Sequence, residues 1–274
     1  MLTETVLTQA PPVVPTGRYR LQHVAKSELV KIVTLRSTAI TLGVTVVAGL
    51  LITGLVTNNA LHHDPSYYQG FDATQQALTG LIAAALTGGV FGALLITGEY
   101  SSGTMRTTLS AVPRRPTLLA AKIGVTAACT FVFCELLSFA AFFLGEAILS
   151  GGGAPSAGLG SPGAFRAVFL TGLFISLMAL MSYGFGLIFR STAAAIAAFV
   201  AVVFVLPLVM HGISESLVRY LPTNILVNSI MSTVAAPPGA PHPPVSAAVG
   251  LLLMAIYTAI ALGAGVVLFV KRDA

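Results

Sequence analysis

The chain has 274 residues, of which 55% are apolar and only 8% charged, with a mean hydropathy of +0.90 and no tryptophan. A soluble domain carries roughly 25% charged residues, so this composition excludes a water-soluble globular protein and describes a membrane protein. The formal charge of +5 and sequence pI near 9.5 call for no nucleic-acid partner, because basic residues beside spans on an anionic leaflet account for them.

In chain order, the first 38 residues are polar and contain Pro11, Pro12 and Pro15. They lack a short apolar core followed by a small-residue cleavage site, so no signal peptide is expected and the first span is read as an uncleaved anchor. Within this region "AKSELVKIVTLRSTAI" places Ser27 as a cap for a helix with Leu29, Ile32 and Val33 on one face, and Glu28 and Lys31 three apart on another. The expectation is an amphipathic helix in the inner interface that bends into the first span.

A bilayer crossing needs about 20 apolar residues. Six stretches meet that length: residues 39–57, 77–97, 123–148, 168–189, 192–210 and 245–270. The expected fold is therefore all-α and polytopic, with residues 1–38 as tail and interfacial helix and 39–274 as a six-span domain. Twelve of the fourteen basic residues fall on one side of these spans and only Arg166 and Arg219 on the other. By the positive-inside rule both termini, and the connectors after the second and fourth spans, are expected in the cytoplasm. Alanine abundance and arginine in excess over lysine suggest a bacterium with GC-rich coding, hence the inner (plasma) membrane.

The first span carries Thr41, Thr45 and Thr53, a threonine-bearing apolar face suited to lining a path for an amphiphilic cargo. The second has small residues Ala84, Gly88 and Gly92 at intervals of four, which let helix backbones approach closely; packing inside the bundle is preferred here over a dimer seam. The third contains Glu135, a mid-span acid open to three readings: a hydrogen bond to Ser138, Thr130 or a neighbouring helix, a lining position, or a proton acceptor. Its Cys129 and Cys134 point to different faces and read as packing residues. Glu146 and Arg166 flank a glycine-rich connector and are expected to pair across it. The fifth span has a small-residue face at Ala193, Ala194, Ala197 and Ala201, and Pro207 is expected to kink it.

Before the sixth span, Leu217, Val218, Leu221, Ile225, Leu226 and Ile230 suggest short helices re-entering from outside. His62, His63 and Asp64 lack the convergent ligands of a zinc site. No H-E-x-x-H or G-x-S-x-G pattern occurs, so no catalytic, cofactor or metal residue is assigned and the chain is not read as an enzyme.

The densest chemistry lies in "GEYSSGTMRTTLSAVPRRPTLLAAKI", residues 98–123. Ser101, Ser102 and Thr104 offer caps to a helix of two to three turns that Pro113 ends, with Arg106, Arg114, Arg115 and Lys122 around it. Glu99, Tyr100, Gly103, Thr104, Arg106, Leu109, Pro113 and Arg115 follow the order seen at the second span of the permeases of type 2 ABC exporters, which this chain resembles. "GFGLIFRSTAAAIA", with Gly186 and Arg190, is similar to that family's tight inner turn; "SELVKIVTLRST" and Tyr220, Leu221, Pro222 are similar to its interfacial helix and outer re-entrant segment. The resemblance implies a coupling helix within 98–117 seated on a separate cytoplasmic ABC ATPase, present as two copies that supply ATP and Mg, and a second permease copy, identical or related. These 274 residues have no G-x-x-x-x-G-K-[ST] loop, so if ATP drives transport, the motor is expected on a partner chain. The alternative is a self-sufficient ion- or proton-coupled transporter or channel, which wants several mid-membrane ionisable residues; only Glu135 qualifies.

Overall fold

The computed structural model describes residues 21–105, 115–232 and 244–272. Every regular element among them is helical, and six helices are long and apolar enough to cross a membrane. Helix α1 (Leu21–Thr34) leads through an extended residue, Leu35 (ψ 123°), into the first span, α2 (Arg36–Ala60). The second span runs from Ala73 to Ser101 in two pieces, α3 (Ala73–Leu78) and α4 (Leu81–Ser101). Then come α5 (Arg115–Gly151), α6 (Ala164–Phe189), α7 (Thr192–His211), the short α8 (Glu215–Val218) and α9 (Pro222–Ser229), and α10 (Ala247–Arg272).

All six expected spans are present, and most extend past the apolar windows. Helix α5 is the extreme case: its 37 residues reach about 55 Å at 1.5 Å per residue, against a hydrocarbon core of about 30 Å. The surplus places Lys122 beside other helices at one end. Helix α1 begins at Leu21, so Ser27 lies in its interior and is not its cap.

Span α6 is the hub, packed along its length against α4, α5 and α10 and also against α7. Gly88 and Gly92 of α4 face it, while Ala84 lies against Gly49 of α2. A Cβ on Gly92 would stand 1.9 Å from the Ala179 carbonyl oxygen, and one on Gly88 would meet Ile175 at 3.4 Å, so this ladder serves packing within the chain. In α7 the expected small-residue face turns away from the rest of the chain: Ala193, Ala197 and Ala201 are exposed and Ala194 is half-buried, while Ala195, Phe199, Val203 and Pro207 are buried. The ring of Phe199 fills the space that a side chain on Gly89 would occupy, so bulk on one helix meets glycine on the other.

Pro207 acts by a π-helical turn at Ala201–Val205. Proline has no N–H for the carbonyl four residues earlier, and that carbonyl, Val203, accepts from the Thr223 hydroxyl of α9. The segment before the sixth span does form two short helices, with Val218, Ile225, Leu226 and Ile230 buried. Its end is tied down by polar contacts. Asp72 accepts from Ser232 N at 2.7 Å, and Arg166 donates to the Met231 and Ser232 carbonyls at 2.9 and 3.0 Å. The expected Glu146–Arg166 pair is therefore replaced: Glu146 accepts from Ala157 N at 2.6 Å within the glycine-rich connector, and Arg166 turns to the opposite loop.

Candidate functional site

At the basic end of the bundle four charged side chains converge from three helices. Glu28 and Lys31 lie on α1, Glu99 in the last turn of α4, and Lys122 near the start of α5. Lys122 Nζ stands 2.8 Å from Glu28 Oε2 and 2.5 Å from Glu99 Oε1. Lys31 Nζ stands 3.0 Å from Glu28 Oε1 and 3.6 Å from Glu99 Oε1. Each charge thus has two neighbours of opposite sign, and the group is neutral.

The environment is largely closed to water. The side chain of Lys122 is 2% exposed, those of Glu28 and Glu99 10% and 12%, and only Lys31 reaches 37%. Burial pulls the Lys31 ammonium pKa down. The hydrogen bond to Glu28 and the charges of Glu99 and Glu28 outweigh that effect and hold it above the ordinary lysine value. Glu99 Oε2 is buried and accepts no hydrogen bond.

Next to this cluster the expected coupling residues separate into those the structure places and those it does not describe. Tyr100 lies under the Arg190 guanidinium, 5.5 Å from carbon to ring centroid, a cation–π distance. Arg190 ends α6 in left-handed geometry at φ 53°. Just beyond it Thr192 donates to the Thr97 hydroxyl at 2.8 Å, and Arg272 of α10 donates to the Ile188 carbonyl at 2.9 Å. The turn between the fourth and fifth spans is thereby fastened to the end of the second.

After α4, Gly103 takes φ 71°, a conformation that favours glycine, and the Thr104 hydroxyl contacts the Ser102 hydroxyl at 2.9 Å. Met105 is buried with Leu119, Tyr183 and Phe269. The expected positions Arg106, Leu109 and Pro113, and with them the coupling helix itself, lie outside the described residues. Arg115 opens α5.

The expected lining residues behave differently from one another. Glu135 makes none of the hydrogen bonds weighed for it. Ser138 donates to the Val168 carbonyl at 2.7 Å and Thr130 contacts Thr126 and Ser176, while both Glu135 oxygens are buried without a partner. Its carboxyl lies against Gly172, where a Cβ would come within 2.8 Å of it. Thr45 and Thr53 are buried, donating to Thr41 O at 2.9 Å and Ala77 O at 3.3 Å. Thr41 borders a cavity.

That cavity, of about 310 Å³, opens between the α1–α2 junction and the C-terminal half of α4. Ile32, Leu35, Phe91, Leu94 and Leu95 form apolar walls, with Thr126 and Tyr183 contributed by the third and fourth spans. Glu28, Lys31 and Glu99 line its charged edge, and the hydroxyl residues Ser102 and Thr104 lie beside them. Among the described residues no three His, Cys, Asp or Glu side chains converge as a metal site; the rings of His62 and His63 contact the Asn58 and Asn59 carbonyls at 3.0 Å each.

Sequence reasoning singled out Glu99 and the Glu28–Lys31 spacing but not their meeting with Lys122. The signal was available in principle. Glu99 and Lys122 bracket one connector at the ends of adjacent spans, so a helical hairpin brings them level, and a lysine packed among helices there is stabilised by an acid.

The family model described as a protein of unknown function (DUF2705) matches residues 59–274. That match covers the second to sixth spans and leaves α1, with Glu28 and Lys31, outside it. No curated protein matches the chain.

Proposed function

We propose, for a chain that belongs to the DUF2705 family, the role of a transmembrane permease subunit of an ATP-driven exporter of the ABC-2 type. In this reading it forms half of a path for an amphiphilic substrate, and a separate cytoplasmic ATPase, in two copies, drives it. Both termini and the 98–117 connector face the cytoplasm, α1 lies in the inner interface, and α8 and α9 re-enter from outside. A second permease copy completes the path.

The observation that carries this reading is the ionic cluster. Glu99 and Lys122 close the two flanks of the connector, so a push on the connector moves the second and third spans together. Glu28 and Lys31 pass the same displacement to α1, and Tyr100 passes it to Arg190 at the inner turn. Twelve basic residues on that side, and the absence of a phosphate loop from these 274 residues, agree with an external motor docking there. Closure of such a motor on nucleotide belongs to the microsecond-to-millisecond range.

The test is the double substitution Arg106→Glu with Leu109→Asp. The expected result is normal membrane insertion with loss of ATPase co-purification and of transport; a retained complex that still transports overturns the assignment. Reconstitution of the purified chain alone separates the alternative, since solute movement down an ion gradient without any nucleotide-hydrolysing partner makes it a self-sufficient transporter.

A further inference from the structure

We propose that the cavity between α1, α2 and α4 binds an uncharged amphiphile whose head group donates hydrogen bonds, such as the hydroxyls of a glycerol- or sugar-headed lipid. This names a substrate class for the permease reading and rests on it, although binding itself needs no motor.

Three observations select this chemistry. First, the lining changes in kind along α1 and α4: Glu28, Lys31 and Glu99 give way one turn further on to Ile32, Leu35, Phe91, Leu94 and Leu95, with the hydroxyls of Ser37, Thr38, Thr41 and Thr126 the polar exceptions. A molecule with an apolar chain and a polar head matches that division. Second, the two acids and two lysines of the cluster already cancel, each charge touching two opposite ones. A cationic or anionic head would leave a net charge in a mostly buried site, which is costly; an uncharged head leaves the balance intact. Third, one buried acceptor stays unused, Glu99 Oε2, and an unpaired buried carboxylate oxygen gains from a hydroxyl or amide donor.

Size and position fit as well. About 310 Å³ is at the small end of ligand pockets, which span about 300–1,000 Å³, so the site takes a head group and the first carbons of a chain. Leu35 is half exposed at the α1–α2 hinge, where the rest of the chain can leave for the surrounding apolar phase.

The experiment uses the full chain in nanodiscs without any ATPase and a photoreactive monoacylglycerol. Probes with the same acyl chain but a trimethylammonium or a sulfate head serve as comparison, and labelled peptides are located by mass spectrometry. The glycerol probe is expected to label α1 and the inner half of α4 at least tenfold more than either charged probe. Leu94→Trp, which fills the cavity from its apolar wall and leaves the ionic cluster untouched, is expected to reduce that labelling about tenfold, and Glu99→Gln to reduce it severalfold. Equal labelling by all three head groups, labelling spread over the exposed spans, or labelling unchanged in Leu94→Trp each overturns the site. These outcomes do not depend on a motor, so they separate failure of this proposal from failure of the permease reading, which rests on the Arg106 and Leu109 test.

Discussion

Replacing Lys122 by alanine removes the most buried charge of the ionic cluster and leaves Glu28 and Glu99 sharing one cation. Breaking a buried pair from one side costs about 3–5 kcal/mol, because the remaining partner stays desolvated and uncompensated. Lys31 still stands 3.0 Å from Glu28 and 3.6 Å from Glu99, which puts the expected cost at the lower end, about 3 kcal/mol. At about 2–4 °C per kcal/mol for chains of this size, the melting temperature falls by about 6–12 °C. Lys31→Ala removes an equal formal charge from a side chain that is 37% exposed, and pairs of that kind are worth about 1 kcal/mol or less.

Charge balance supplies the control. Lys122→Ala with Glu99→Gln returns the group to neutrality, with Glu28 and Lys31 as an ordinary pair, so the double variant is expected to recover at least half of the loss. Thermal unfolding in detergent, followed by a thiol-reactive dye that reaches the buried Cys134 only on unfolding, reads all three, in a Cys129→Ser background. Equal shifts for Lys122→Ala and Lys31→Ala, or strict additivity of the Lys122 and Glu99 changes, refute the view that burial and mutual neutralisation hold this site together.

Other outcomes follow from single contacts. Gly92→Ala drives a methyl into the Ala179 carbonyl and is expected to cost well over the about 1–3 kcal/mol of ordinary overpacking, seen as loss of a monodisperse protein, whereas Gly88→Ala is expected to shift the melting temperature little. Thr223→Val strands the Val203 carbonyl and is expected to cost about 1 kcal/mol; adding Pro207→Ala, which restores an N–H for that carbonyl, should return most of it in a melting cycle. Glu135→Met removes two partnerless buried oxygens and is expected to leave stability unchanged or raise it, so a melting temperature lowered by several degrees means that the carboxyl has a partner after all.

The six spans were legible because a bilayer crossing imposes length and composition together, and few residues are needed to see both. The two short helices α8 and α9 were legible from the apolar residues grouped before the sixth span. What could not be read was which face of a span turns inward. In α7 small residues suggested the contact face, yet Phe199 is buried because Gly89 on another helix leaves room for its ring. In α5 and α6 the opposite signs of Glu146 and Arg166 suggested a pair, yet Glu146 accepts from the connector that follows it and Arg166 donates to carbonyls of the loop after α9. The burial of Phe199 and the turn of Arg166 both depend on an element far away in sequence. The candidate site divides along the same line: Glu99 and the Glu28–Lys31 spacing were visible locally, whereas Lys122 joins them only through the packing of three helices.

Holding α1, α4 and α5 together by charges needs a reason, because well-packed apolar residues commonly do as well at such a place. An apolar contact loses area in proportion as helices slide apart. The ring formed here loses one ion pair at a time, and since every member has two opposite neighbours, no charge is abandoned when a single contact opens. Lys31, the most exposed of the four, can release Glu99 while Lys122 still holds it, and α1 can then shift against α4 at the cost of one weak pair. Such a joint yields stepwise while remaining neutral, which suits the movement that the proposed permease role asks of α1, α4 and α5.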